Sequence, residues 1–175
     1  MENELEEIVG SLGKVEETAT YLEILKKAFS TNGLLAYKIE NLVKDLEQLT
    51  NEYLAELSDG RFSLSFVVTN DKLNVEITDN GKIVDILALS SGELARVNTS
   101  TLLAIRKLMS SISSSRINTL FLDEVIAVLD DNGREKLVEI LLQEELKTYI
   151  VSHGWTHPLL AKIDVIKEDN ISRLE

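Results

Sequence analysis

The sequence contains no cysteine. Disulfide scaffolds and thiolate metal sites are excluded, and a reducing compartment such as the cytoplasm is the expected location. Proline occurs once and glycine eight times in 175 residues, while 44% of the chain is hydrophobic and 27% charged. That balance fits a folded chain with room for one domain and an appendage, and argues against disordered or collagen-like classes. No run of 18 or more apolar residues occurs, so no transmembrane helix is expected. Met1 to Gly10 is acidic and has no basic segment followed by an apolar core, which argues against a secretory signal. Basic residues are scarce as well. Eighteen Lys and Arg face 30 Asp and Glu, a net charge of −12, and residues 1–57 alone hold 5 basic and 12 acidic side chains. A free-standing nucleic-acid binder needs clustered Lys and Arg to meet phosphates, so any attraction to DNA must come from a local patch or from another chain.

What the sequence does contain changes texture along its length. Leu5, Ile8, Leu12, Val15, Ala19 and Leu22 recur at alternating steps of three and four, and Phe29 keeps the phase. Leu35, Ile39, Leu42, Leu46, Leu49 and Tyr53 repeat the pattern. This spacing holds an apolar seam against a partner helix, as in a coiled coil. Between the two seams, Ser30-Thr31-Asn32-Gly33 is a break, leaving either a helical hairpin or one interrupted helix. At Ser58-Asp59-Gly60 the period becomes two. The alternation predicts strands at 62–69, 72–78 and 82–87, with Asn80-Gly81 as a hairpin turn.

From Leu89 onward, helix and strand alternate. Helices are predicted at Glu93 to Ser110 and Arg134 to Glu145, with a serine-rich loop, Ser110 to Ser115, after the first. Thr119 to Leu122 and Thr148 to Val151 read as strands buried on both sides, the pattern of a parallel sheet. Trp155 to Lys162 reads as a short helix with Pro158 in its first turn, and residues 164–166 and 171–174 as an edge hairpin.

Four short segments carry possible chemistry. Asp123-Glu124 follows the first apolar strand, where carboxylates enter the crevice used by ligands of parallel sheets. Asp123 is placed to hold Mg²⁺, and Glu124 to deprotonate a water attacking a phosphate; the plain alternative is an acidic strand cap. Ser90-Ser91-Gly92-Glu93 opens a helix, which offers free N–H groups to phosphate or is simply a capped terminus. Ser152-His153 ends the second strand, while His157 reads as ordinary surface. Leu129-Asp130 alone reads as a turn and the cap of the next helix.

Taken together and in this order, the segments resemble the C-terminal half of an ABC-type ATPase head. Leu89 to Glu93 looks like the signature motif, Asp123-Glu124 the end of Walker B, Leu129-Asp130 the D-loop and His153 the switch histidine. The coil followed by Leu57-Ser58-Asp59-Gly60-Arg61-Phe62 resembles the C-terminal lobe of SbcC-type ATPases, the SMC-like subunits of double-strand-end nuclease complexes and phage recombination exonucleases. Two departures stand out: Ser91 replaces a usual glycine, and Val125-Ile126 replaces a frequent Pro-Thr.

The resemblance implies an α/β fold, the C-terminal lobe of an ABC-type head at residues 58–175 behind a coiled-coil base at 1–57. It implies ATP and Mg²⁺, with Asp123 at the metal, Glu124 as base, and His153 on the γ-phosphate. Ser90, Ser91, Gly92 and Glu93 would meet ATP held by a second head, with Asp130 working across that interface. No Gly-x-x-x-x-Gly-Lys-Ser/Thr phosphate loop occurs, so the expected partners begin with an N-terminal lobe that carries one. A second head, a metallophosphoesterase-type nuclease, and DNA reached through the complex complete the set; no membrane is implied. The alternatives are an SMC-type chromosome-organising head with a bridging subunit, and a non-enzymatic coiled-coil interaction module.

Overall fold

The computed structural model describes residues 2–69, 72–113, 118–144 and 146–175. Two helices come first, α1 (Glu2–Ala28) and α2 (Leu34–Ser58). The break between them is steric as well as conformational. A Cβ on Gly33 would lie 2.3 Å from the Ala28 carbonyl oxygen, so only glycine admits this approach. The interrupted arrangement is adopted, and α1 does not lay its seam on α2: Leu5, Ile8, Leu12, Val15 and Leu22 are all more than half exposed. Along α2 the seam sinks progressively. Leu35 and Ile39 are exposed, Leu46 and Leu49 pack on the core, and Tyr53, Leu54 and Leu57 are buried. The last turns of α2 are therefore held by tertiary packing, whereas α1 relies on propensity alone.

The C-cap of α2, Asp59, is left-handed and sends the chain into β1 (Phe62–Thr69). β1 pairs antiparallel with β2 (Lys72–Asp79), with Phe62 opposite Asp79 and Leu64 opposite Ile77. Asn80 and Gly81 both have positive φ, as the tight turn into β3 (Lys82–Val84) requires. β3 is shorter than the expected 82–87. Asp85 ends it by accepting the Leu87 N–H at 2.9 Å, which winds Ile86–Ala88 into a 3₁₀ turn. Period-two alternation delivers Phe62, Leu64 and Ile77 to one face, where they pack with Leu54 of α2 and Val97 of α3 (Ser91–Ile112).

The second core is larger. β4 (Thr119–Asp123) runs parallel to β5 (Lys147–Val151), and between them lie the single turn α4 (Val125–Val128) and α5 (Asp131–Gln143). Leu120 and Leu122 of β4 meet Tyr53, Leu57, Leu103, Ile126, Leu137 and Ile140. Burial on both sides is not observed. Phe121 is 70% exposed and stacks on Tyr149 at 5.1 Å, because α2, α3 and α5 cover one face and no element among the described residues covers the other. α3 continues to Ile112, so the expected serine loop starts only at Ser113; Ser114 and Ser115 lie outside the described residues, as does Glu145.

Residues 155–162 are not helical. His157 supplies both ends of a single turn, its Nδ1 accepting the Leu159 N–H and its carbonyl the Leu160 N–H, and no ladder follows. His157 is also not a surface residue: its side chain is 7% exposed, bonded to Glu135 at 3.0 Å and stacked on Trp155. β6 (Val165–Glu168) and β7 (Ile171–Leu174) form a hairpin that is a sheet of its own and does not join the edge of β4–β5. No helix among the described residues is long and apolar enough to cross a membrane.

A polar clamp ties these parts together. Glu144, just past α5, accepts the Tyr53 hydroxyl from α2 at 2.6 Å and the Lys107 ammonium from α3 at 3.1 Å, and is also held by Arg106. Burial opposes the Glu144 charge, but the Tyr53, Lys107 and Arg106 donors outweigh it and lower its pKa.

Candidate functional site

Parallel register decides which side chains meet. Asp123 pairs with Val151 at the ends of β4 and β5, so the residues that follow leave the sheet side by side. Glu124 turns out of β4 in the left-handed region, φ 54°, and its N–H donates to the Val151 carbonyl at 3.1 Å. This turn brings Glu124 Oε1 to 3.3 Å from His153 Nε2. Both side chains remain open to solvent, Glu124 64% and His153 89% exposed. Asp123 lies exposed beside them at the strand end. Ile126, Arg134, Ser152 and Trp155 line a shallow depression next to His153. The Val125-Ile126 departure has a structural account: these apolar residues wind α4 and seat Ile126 in the core at 1% exposed.

A second group surrounds the start of α3. Ser90 caps the helix, with its Oγ accepting the Glu93 N–H at 3.3 Å. Glu93 reaches back to accept the Ser90 N–H at 2.9 Å and the Ser90 hydroxyl at 2.8 Å, completing a capping box. The N–H groups of Ser91 and Gly92 have no acceptor within the helix, as at any helix start. Gly92 passes so close to α4 that a Cβ would lie 3.1 Å from the Val128 carbonyl oxygen. Asp130 caps α5, accepting the Gly133 N–H at 2.8 Å, and binds the Arg96 guanidinium of α3 at 2.6 Å. The signature-like turn and the D-loop-like turn are thus one connected unit. Among the described residues, no hydrogen bond or ion pair joins Ser90 or Glu93 to Glu124 or His153.

Two arginines lie outside the set that sequence reasoning singles out. Arg61 bridges Asp79 and Glu93, and Arg96 holds Asp130. Arg61 and Glu93 are 32 positions apart, so no local spacing pairs them. Arg96 is only three residues beyond Glu93, but its partner lies in the turn that caps another helix.

Electrostatics at the site are those of satisfied carboxylates. The Ser90 N–H and hydroxyl, then Arg61, lower the Glu93 pKa against the effect of burial. The Gly133 N–H and then Arg96 do the same for Asp130. Carboxyls with depressed folded-state pKa values add stability above their unfolded values of about 3.8 and 4.5 and lose it as pH falls through the folded ones. Thermal stability is expected to hold from neutrality to about pH 5 and to decline below about pH 4. A melting temperature unchanged between pH 6 and pH 3 would contradict these pairings.

Among the described residues, no group of three or more His, Asp or Glu is arranged to hold a metal ion unaided. A lone exposed carboxylate such as Asp123 suits Mg²⁺, which keeps water and takes phosphate oxygens as further ligands.

No protein-family model matches the chain. It is 45% identical over 176 residues to the probable exonuclease subunit 2 of Escherichia phage T5, a match covering 99% of the chain and 28% of that protein. Together with the matches that follow, this likeness supports a C-terminal lobe of an SMC-like ATPase head. A second relative, the DNA double-strand break repair Rad50 ATPase of Methanocaldococcus jannaschii, is 29% identical over 159 residues, 89% of the chain and 15% of that protein. The fold agrees: a chain solved in work on ATP-driven dimerization and DNA-stimulated activation of SMC ATPases superposes with a TM-score of 0.63 at 20% identity, covering 79% of this chain and 87% of that one. This SMC-like lobe therefore spans less than a third of the length of the curated relatives it matches.

Proposed function

We propose that this chain supplies the C-terminal half of an ATPase head whose closure on a second head controls a partner nuclease at DNA ends. The observation that carries the reading is the pairing of Glu124 with His153 at 3.3 Å, where β4 and β5 end together. In this reading Asp123 would hold Mg²⁺, which when bound would supply charge stabilisation at the phosphates. Glu124 accepts the proton of the attacking water, and His153 donates to the γ-phosphate while its other contact orients Glu124. Ser90 and the free N–H groups of Ser91 and Gly92 meet the triphosphate of the opposite head, and Asp130 acts across the same interface. An N-terminal lobe brings the phosphate loop. The α1 seam pairs with another helix or with the nuclease, which is of the metallophosphoesterase type. The likeness to an exonuclease subunit favours this partner over the bridging subunit of a chromosome-organising head.

Phosphoryl transfer depends on positioning and charge, so half a site is expected to turn over negligibly. The test is ATP hydrolysis by this chain, by a separately produced N-terminal lobe, and by the two mixed. Turnover is expected only in the mixture. Robust turnover by the chain alone, or none from a verified one-to-one complex supplied with nuclease and DNA, would defeat the reading.

A further inference from the structure

Glu93 is a carboxylate standing where the composite-site reading brings a triphosphate. The Ser90 hydroxyl has one proton, and that proton is given to Glu93 Oε2 at 2.8 Å. For Ser90 to donate to a phosphate oxygen, it must let go of Glu93. The carboxylate would then lose a donor just as a second anion approaches. An uncompensated negative charge at that spot would oppose phosphate binding.

Arg61 stands on the other side of the carboxylate. Its Nη1 lies 2.7 Å from Glu93 Oε1, the oxygen that Ser90 does not use. The rest of the guanidinium is fixed elsewhere: Nε and Nη2 fork onto Asp79 at 2.9 and 2.7 Å, and the ion sits 4.5 Å over the Phe62 ring. Arg61 is thus held by the turn after α2 and by β2, not by the helix that carries Glu93, so its position does not depend on what Ser90 does. A guanidinium keeps its charge at every relevant pH. When Ser90 turns away, Glu93 retains the Ser90 N–H and Arg61, two donors for its two oxygens.

We propose that Arg61 is a positioning residue of the ATP site: it neutralises Glu93, so that the Ser90 hydroxyl can pass from Glu93 to a phosphate oxygen without leaving an unpaired carboxylate facing the phosphate. This role rests on the composite-site reading and assigns the residue that makes the signature-like turn compatible with an anion.

The test uses the full chain with its N-terminal lobe and the non-hydrolysed analogue AMP-PNP, and reads nucleotide-dependent association of heads by sedimentation. Arg61→Met is expected to require about tenfold more nucleotide, since one charge is left uncompensated at the contact. Arg61→Lys, which keeps the charge and loses the fork, falls between Met and wild type. The decisive variant is the double, Arg61→Met with Glu93→Gln. Removing the carboxylate removes the need for its neutraliser, so association returns to within about threefold of wild type. A purely structural arginine predicts the opposite, with the double at least as impaired as Arg61→Met; that result, or an unimpaired Arg61→Met, overturns the proposal. A second readout needs no nucleotide. In the chain alone, Glu93 followed by NMR titrates at higher pH in Arg61→Met than in wild type, and an unchanged titration also overturns the proposal. If wild-type heads fail to associate while the Glu93 titration shifts, the pairing stands, and the composite-site reading falls together with the phosphate role built on it.

Discussion

Glu124→Gln is expected to abolish turnover of the assembled head, by at least about 100-fold in kcat, while leaving stability within about 0.5 kcal/mol of wild type. The two halves of this expectation come from different observations. Glu124 is 64% exposed, packs into no core, and has the exposed His153 Nε2 nearby at 3.3 Å, so its side chain contributes little to folding. Its backbone is left-handed at φ 54°, a conformation that Gln adopts at a cost similar to Glu, and its N–H bond to Val151 survives the change. Gln keeps the shape and a donor–acceptor head but cannot take a proton, so under the proposed function it removes the base and spares the binding surface. The mutant should therefore bind ATP and hold heads together longer than wild type. The measurement is single-turnover hydrolysis beside a urea titration of the same preparations. Loss of activity with an equal loss of stability would reassign Glu124 as a structural cap, and retained activity would remove it from the chemistry.

Glu124 is legible in the sequence because local rules place it. An apolar strand that ends in two carboxylates has few places to put them, and the strand-to-crevice geometry of parallel sheets names one. The capping box at Ser90 is local in the same way, since Ser and Glu three residues apart satisfy each other's backbone groups. The β2–β3 pairing is readable because alternation and an Asn-Gly turn fix register over a few residues. What the sequence leaves hidden is non-local or one-sided. Arg61 and Glu93 meet only because α2, β2 and α3 pack around one core. Phe121 and Tyr149 look like interior residues, yet they stand on the uncovered face, because an apolar run records that a strand is hydrophobic and not how many layers cover it. The expected helix at 155–162 does not form for lack of length. One turn held by His157 gains too few ladder bonds to offset nucleation, and its histidine packs instead against Trp155.

Leu57→Ala is expected to cost about 3–4 kcal/mol, whereas Leu12→Ala should cost under about 0.5 kcal/mol, although both leucines occupy helical positions in the same apolar-rich third of the chain. Leu57 is fully buried and shares a core with Leu103, Leu120, Leu122 and Leu137, so it joins α2 to α3, β4 and α5 at once. Truncating it loses transfer energy and leaves a cavity between elements that cannot all close in, because the Glu144 clamp and the Asp59–Lys136 pair hold α2 against α3 and α5 on either side. Leu12 is 56% exposed on α1, and its removal takes away little burial. Against a total stability of about 5–15 kcal/mol for a domain, the first change is severe and the second silent. Urea unfolding monitored at Trp155, which packs against the same core, reports both. Equal midpoints for the two variants would mean that α2 is a detachable coil. The expected separation means that its final turns belong to the lobe. Any force along the helix would then be borne by the core that its last turns share with β4, the strand that ends at Asp123.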